Sequence, residues 1–154
     1  MPASWHGLAS RHYVYVVSPF YYAAAGVAVY VSHHRRATEL ERILEPLCLC
    51  IQALLSYLSD VDTLGRNSGW HAVDRLFAYS FTIIRASYSA WYAAVYSSLQ
   101  LRVFSFGLLC GIFCIRASWS AVLRRDCPAF LRWHSVWHAS LPLTALAFVR
   151  CAPT

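Results

Sequence analysis

Two histidines in residues 130–142, FLRWHSVWHASLP, are the side chains of this sequence best placed for chemistry. His134 and His138 stand four apart, so on a helix their imidazoles share one face. Their surroundings are apolar, and a bilayer-embedded helix rarely carries two imidazoles without a use for them. Two histidines at this spacing are a common way for one helix to supply two ligands to a metal.

A second concentration of polar groups sits near the middle of the chain, at Ser56, Asp60, His71 and Asp74. Ser56 and Asp60 stand four apart on one expected helix, and His71 and Asp74 stand three apart on the next. A carboxylate in hydrocarbon is costly unless it is paired, protonated or bound to a cation. Zinc would satisfy these groups together with the two histidines, since it accepts His nitrogen and Asp oxygen and keeps an open position when catalytic. Water bound there becomes a nucleophile near neutral pH, a neighbouring carboxylate can take its proton, and a serine hydroxyl can donate to a developing oxyanion. The structural alternatives are plain ones. The histidines could bond to nearby backbone or serine groups beside Trp133 and Trp137, Asp60 could be a solvated turn residue, Asp74 a helix N-terminal carboxylate, and Ser56 a packing serine.

Composition says what must position these residues. The chain has 154 residues, 58% hydrophobic and only 13% charged, against about 25% charged in soluble domains. That deficit predicts an all-α, multi-pass transmembrane bundle in a single domain, 1–154, and an integral membrane location. Five crossings are expected, over 12–32, 40–59, 71–100, 103–123 and 129–149, each able to span about 30 Å at 1.5 Å per residue. His33, His34, Arg35 and Arg36 form the first polar connection, and Pro46 is a possible kink. The run from Trp70 to Leu101 reads as one tilted helix with Arg85 facing protein or water, because splitting it at Arg85 leaves a piece too short to cross. Two crossings then separate Asp74 from His134, which returns the histidines to the side that carries Asp60 and Asp74. The net charge is +6 and every one of the 13 basic residues is Arg. They stand singly or in pairs between apolar runs and form no basic stripe, which argues against nucleic acid as a partner. The six cysteines contain no CxxC pair and read as packing thiols.

The order of these residues resembles the CREST superfamily of multi-pass membrane hydrolases, which includes alkaline ceramidases, lipases that remodel GPI anchors, progestin and adipoQ receptors and the myomaker-like branch. WHSVWHASLP is similar to the ending of the GPI-remodelling branch, and the Ser56-to-Asp74 region is similar to the family's first motif. The resemblance implies zinc as cofactor, a membrane lipid as substrate and hydrolysis of a lipid amide or ester. It places the family's serine on Ser56, its aspartate on Asp74 and its last two zinc ligands on His134 and His138. The sequence departs from the pattern at the third ligand, where Asp60 stands in the place of a histidine; Asp60 itself, or His71 from the next helix, would complete the set. It departs also in length, with five expected helices where the family has seven. The alternative function is a non-catalytic membrane protein, receptor-like or a scaffold, that has lost the full metal site.

Overall fold

A chain this apolar does best to satisfy its backbone N–H and C=O groups within each segment, and helices do that. The computed structural model describes residues 5–32, 39–64, 66–95 and 98–151, and every regular element among them is helical. The order is α1 (Trp5–Ala9), α2 (Tyr13–Val17), α3 (Phe20–Ser32), α4 (Glu39–Ser56), α5 (Trp70–Val95), α6 (Ser98–Leu123) and α7 (Cys127–Arg150). α4 runs directly into a π-helical turn, Tyr57–Asp62. The expected polar connection at His33, His34, Arg35 and Arg36 lies outside the described residues.

Two features of the described residues differ from the sequence expectation. The run over 12–32 is two helices, because Pro19 has no N–H to offer the carbonyl of Tyr15. Ser18 takes that carbonyl instead, through its backbone N–H at 3.2 Å and its hydroxyl at 2.8 Å. Pro46, by contrast, lies inside α4 without ending it. Of the run over 71–100, α5 covers Trp70–Val95, and residues 98–100 belong to α6, which begins at Ser98, ahead of the expected 103. Gln100, expected as the last residue of the crossing over 71–100, is a buried residue of α6 whose Nε2 donates to the carbonyl of Phe148 at 2.9 Å.

α7 is the central element, packed on α6 along one side and on α3 along another, while α3 also packs on α4. Its start joins an apolar cluster with Trp5, Tyr15, Leu64, Ala121 and Phe130. Its end joins a second cluster with Tyr22, Val29, Leu49 and Ala53 through Val149. His134 and His138 lie on the stretch between the two. A tight turn makes the α6–α7 hairpin: Arg125 adopts a left-handed backbone with φ of 57°, and the Asp126 carboxylate caps α7 by accepting from the N–H of Ala129 at 3.0 Å.

α6 wears its large apolar side chains outward. Phe106, Leu109 and Phe113 are 72, 65 and 60% exposed, whereas its buried residues are small or polar, among them Gly107, Gly111, Cys114 and Ser118. Two helices are long and apolar enough to cross a membrane, Arg42–Asp62 with a mean hydropathy of 1.3 and Ser98–Leu123 with 1.7. α5 and α7 have comparable length, 26 and 24 residues, and a more polar composition. Arg85, in mid-α5, faces protein: its guanidinium pairs with Glu45 of α4 at 2.9 Å and lies over the ring of Phe148.

Glycines set the α6–α7 approach, since a Cβ at Gly107 would overlap the Thr144 side chain and one at Gly111 would lie 2.8 Å from the Trp137 ring. Gly107→Val should destabilise the hairpin by roughly 1–3 kcal/mol, whereas Gly7→Ala, where nothing lies within 4 Å, should be close to neutral. Thermal unfolding of the purified variants measures both.

Candidate functional site

The π-helical turn decides where Asp60 points. A uniform α-helix would stack Ser56 and Asp60 on one face, but the turn closes on i→i+5 bonds, with the N–H of Thr63 on the carbonyl of Leu58 at 3.1 Å. That widening separates the two side chains, so Ser56 meets α5 while Asp60 meets α7. Such single wide turns are frequent at functional sites.

Asp60 Oδ2 lies 2.9 Å from Nε2 of His134 and 3.2 Å from Nε2 of His138. The three ligand atoms lie within 4.8 Å of one another, a group that could hold a metal ion. The hydrogen bonds behind this group assign the ring of His138, which is 2% exposed. The Ser18 hydroxyl has one proton and directs it to the carbonyl of Tyr15. Its oxygen therefore accepts from Nδ1–H of His138, 2.9 Å away. A neutral imidazole with Nδ1 protonated presents a lone pair at Nε2, and that lone pair faces a carboxylate oxygen. Two lone pairs at such a distance are reconciled either by a proton on Nε2 donated to Oδ2 or by a metal ion bound to both. A tetrahedral zinc, with bonds of about 2.0–2.2 Å to N and O, sets such ligands about 3.3 Å apart, so the residues present fit the ion. The remaining groups hold Asp60 in place: Ser59 donates to Oδ1 at 2.9 Å, and the Tyr15 hydroxyl donates to the backbone carbonyl at 2.7 Å.

Asp74 anchors the other half. It is 9% exposed, and its Oδ1 accepts from the Ser56 hydroxyl at 2.8 Å and from Gln52 Nε2 at 2.6 Å. Gln52 Nε2 also donates to Ser56 Oγ at 2.8 Å. A carboxylate only accepts, so this fixes which end of the amide faces Asp74. Gln52 Oε1 is then left buried with no partner among the described residues, at a cost of about 1–3 kcal/mol.

All six residues singled out in the sequence, Ser56, Asp60, His71, Asp74, His134 and His138, line one cavity of about 660 Å³. They do not all act together. Asp60, not His71, completes the trio with the two histidines. His71 turns its Nδ1 to Ser59 Oγ at 2.9 Å and its Nε2 to the carbonyl of Arg66 at 3.1 Å, so both ring nitrogens are engaged elsewhere. Ser56 differs from the oxyanion donor expected of it, because its one hydroxyl proton is directed to Asp74.

Four further residues of the site are Ser18, Tyr15, Ser59 and Gln52. Gln52 was within reach of spacing, since 52, 56 and 60 advance by four. Ser59 is a neighbour of Asp60 without a pattern of its own. Ser18 and Tyr15 arrive from 120 and 45 residues away in sequence, and no local signal marks them.

No protein family, curated protein or solved structure matches the chain. The arrangement of side chains therefore carries the functional reading.

Ser18→Ala should cost about 1–3 kcal/mol, because a fully buried ring nitrogen loses its acceptor, while Ser18→Thr should keep most of the stability. Chemical denaturation of the two variants beside the parent checks the pair.

Proposed function

We propose that this chain is a multi-pass membrane protein that hydrolyses a lipid amide or ester with the help of zinc held by Asp60, His134 and His138. The observation that carries the reading is the approach of two imidazole nitrogens to one carboxylate oxygen, with the proton of His138 assigned to its far nitrogen by Ser18. An ion bound by these three groups would supply Lewis acidity and lower the pKa of water near neutrality.

The protein's own groups do the rest. Asp74 is the acid/base: it borders the same cavity as the trio and is oriented by two hydrogen bonds. Ser56 and Gln52 act through Asp74 as positioning residues. Ser18 and Ser59 hold His138 and Asp60 at their far sides, as the outer groups around a metal usually do. The outward-facing apolar residues of α6, with small residues inward, support residence in lipid. So does the pairing of half-buried Arg85 with buried Glu45, the arrangement expected of charges inside a membrane protein.

Purified protein in detergent should hold about one zinc per chain, measured by elemental analysis, and His134→Ala with His138→Ala should lose it. Ser18→Ala should retain the site but bind zinc about 10–100-fold more weakly. A metal-free protein that acquires zinc only on Asp60→His would overturn the hydrolase reading in favour of a non-catalytic relative of such enzymes. Asp74→Asn should abolish turnover of N-acyl and O-acyl lipids while leaving the zinc content unchanged.

A further inference from the structure

The cavity that holds the trio has a basic mouth. Arg66, Asn67 and Arg75 line it, and all three are exposed. Neither guanidinium has an ion-pair or hydrogen-bond partner among the described residues. The two carboxylates in the same cavity do not supply one: Asp60 is engaged by two imidazoles and Asp74 by Ser56 and Gln52. The turn that presents Arg66 is itself held in place, since its backbone N–H donates to the carbonyl of Thr63 at 2.9 Å and its carbonyl faces His71 at 3.1 Å. Two unpaired guanidinium groups and an amide converge on one opening, a donor set suited to phosphate oxygens.

Two further features say what kind of phosphate. Arg66 follows by four residues the end of the membrane-length helix Arg42–Asp62, which sets it at the depth of lipid headgroups if that helix spans. At its inner side the cavity borders a second one, sharing Tyr22, Gln52 and Ala78 with it. That second cavity is small, about 50 Å³, and carries the Glu45–Arg85 ion pair on its wall, so the apolar surface open to an acyl chain is the main cavity's own, at Leu64, Ile115, Trp119 and Val122. The main cavity therefore offers one occupant a basic mouth, polar groups and an apolar wall, which matches an amphiphile with an anionic head.

We propose that Arg66 and Arg75, with Asn67, form a headgroup subsite that selects a phosphate-bearing lipid. The inference rests on the hydrolase reading for the chemistry performed on that lipid, and on the mouth and the apolar wall of the cavity for its binding. Calorimetric titration of the detergent-solubilised protein tests it with three probes: dihexanoyl phosphatidic acid, neutral dihexanoylglycerol and inorganic phosphate.

Phosphatidic acid should bind at least about tenfold more tightly than dihexanoylglycerol, as expected for charge-assisted hydrogen bonds. Arg66→Gln with Arg75→Gln should erase that preference while leaving the neutral lipid's affinity unchanged; both positions are exposed, so the fold is not at stake. Equal binding of the charged and neutral lipids overturns the proposal. Inorganic phosphate binding as tightly as phosphatidic acid overturns it too, because the apolar wall would then contribute nothing. The readout needs no turnover. Absent zinc would sink the hydrolase reading and leave a measured headgroup preference standing, and a lost preference with zinc in place would do the reverse.

Discussion

One carboxylate oxygen facing two imidazole nitrogens is the contact on which the arrangement of helices depends. Asp60 Oδ2 brings the wide turn at the end of α4 against the middle of α7, and no other described pair joins those two segments through ionisable groups. Around it every neighbouring element contributes a bond: α2 through the Tyr15 hydroxyl, the break before α3 through Ser18, the turn through Ser59. A buried charge persists when its surroundings are built to compensate it, and removing one partner exposes the rest. The polar centre is thus a structural demand on four parts of the chain as well as a place for chemistry.

The interior around it is divided. One apolar cluster closes the end formed by α1, α2 and the α6–α7 turn, and another closes the end formed by α3, α4 and the last turns of α7. Between them lies a layer of Ser, Gln, Asp and His side chains that bond mostly to one another. Irregular backbone appears next to that layer, in the π-helical turn and in the break at Pro19, and in both places it delivers a side chain that a continuous helix would have aimed elsewhere. Such departures cost backbone hydrogen bonds, and the structure recovers them with Thr63 on Leu58 and Ser18 on Tyr15.

The same layer separates two tasks. Groups toward α7 converge on a point suited to a cation, whereas Asp74, held by Ser56 and Gln52, faces the shared cavity from α5. Gln52 accepts an unsatisfied oxygen in order to keep both of its N–H groups on Ser56 and Asp74. An orphaned buried acceptor is uncommon in proteins, and here it marks how firmly the carboxylate is oriented.

What the sequence by itself determined is helical structure throughout and the short list of residues that would matter, because apolar runs and four-residue spacings are local patterns. From these, the expected crossings group Asp60, Asp74, His134 and His138 on one side, and the structure brings all four to one cavity between the two apolar clusters. The break at Pro19 also has a local cause, the missing N–H, although the apolar run over 12–32 reads as one helix in the sequence. Tertiary structure decided the rest. Whether Asp60 or His71 joins the histidines depends on a π turn that rotates one residue and on the Ser59 and Arg66 groups that occupy the other. Which nitrogen of His138 carries its proton depends on Ser18, far away in the chain. Those outcomes follow from competition among hydrogen-bond partners in three dimensions, and a single donor proton or a single wide turn settles them without leaving a periodic trace in the sequence.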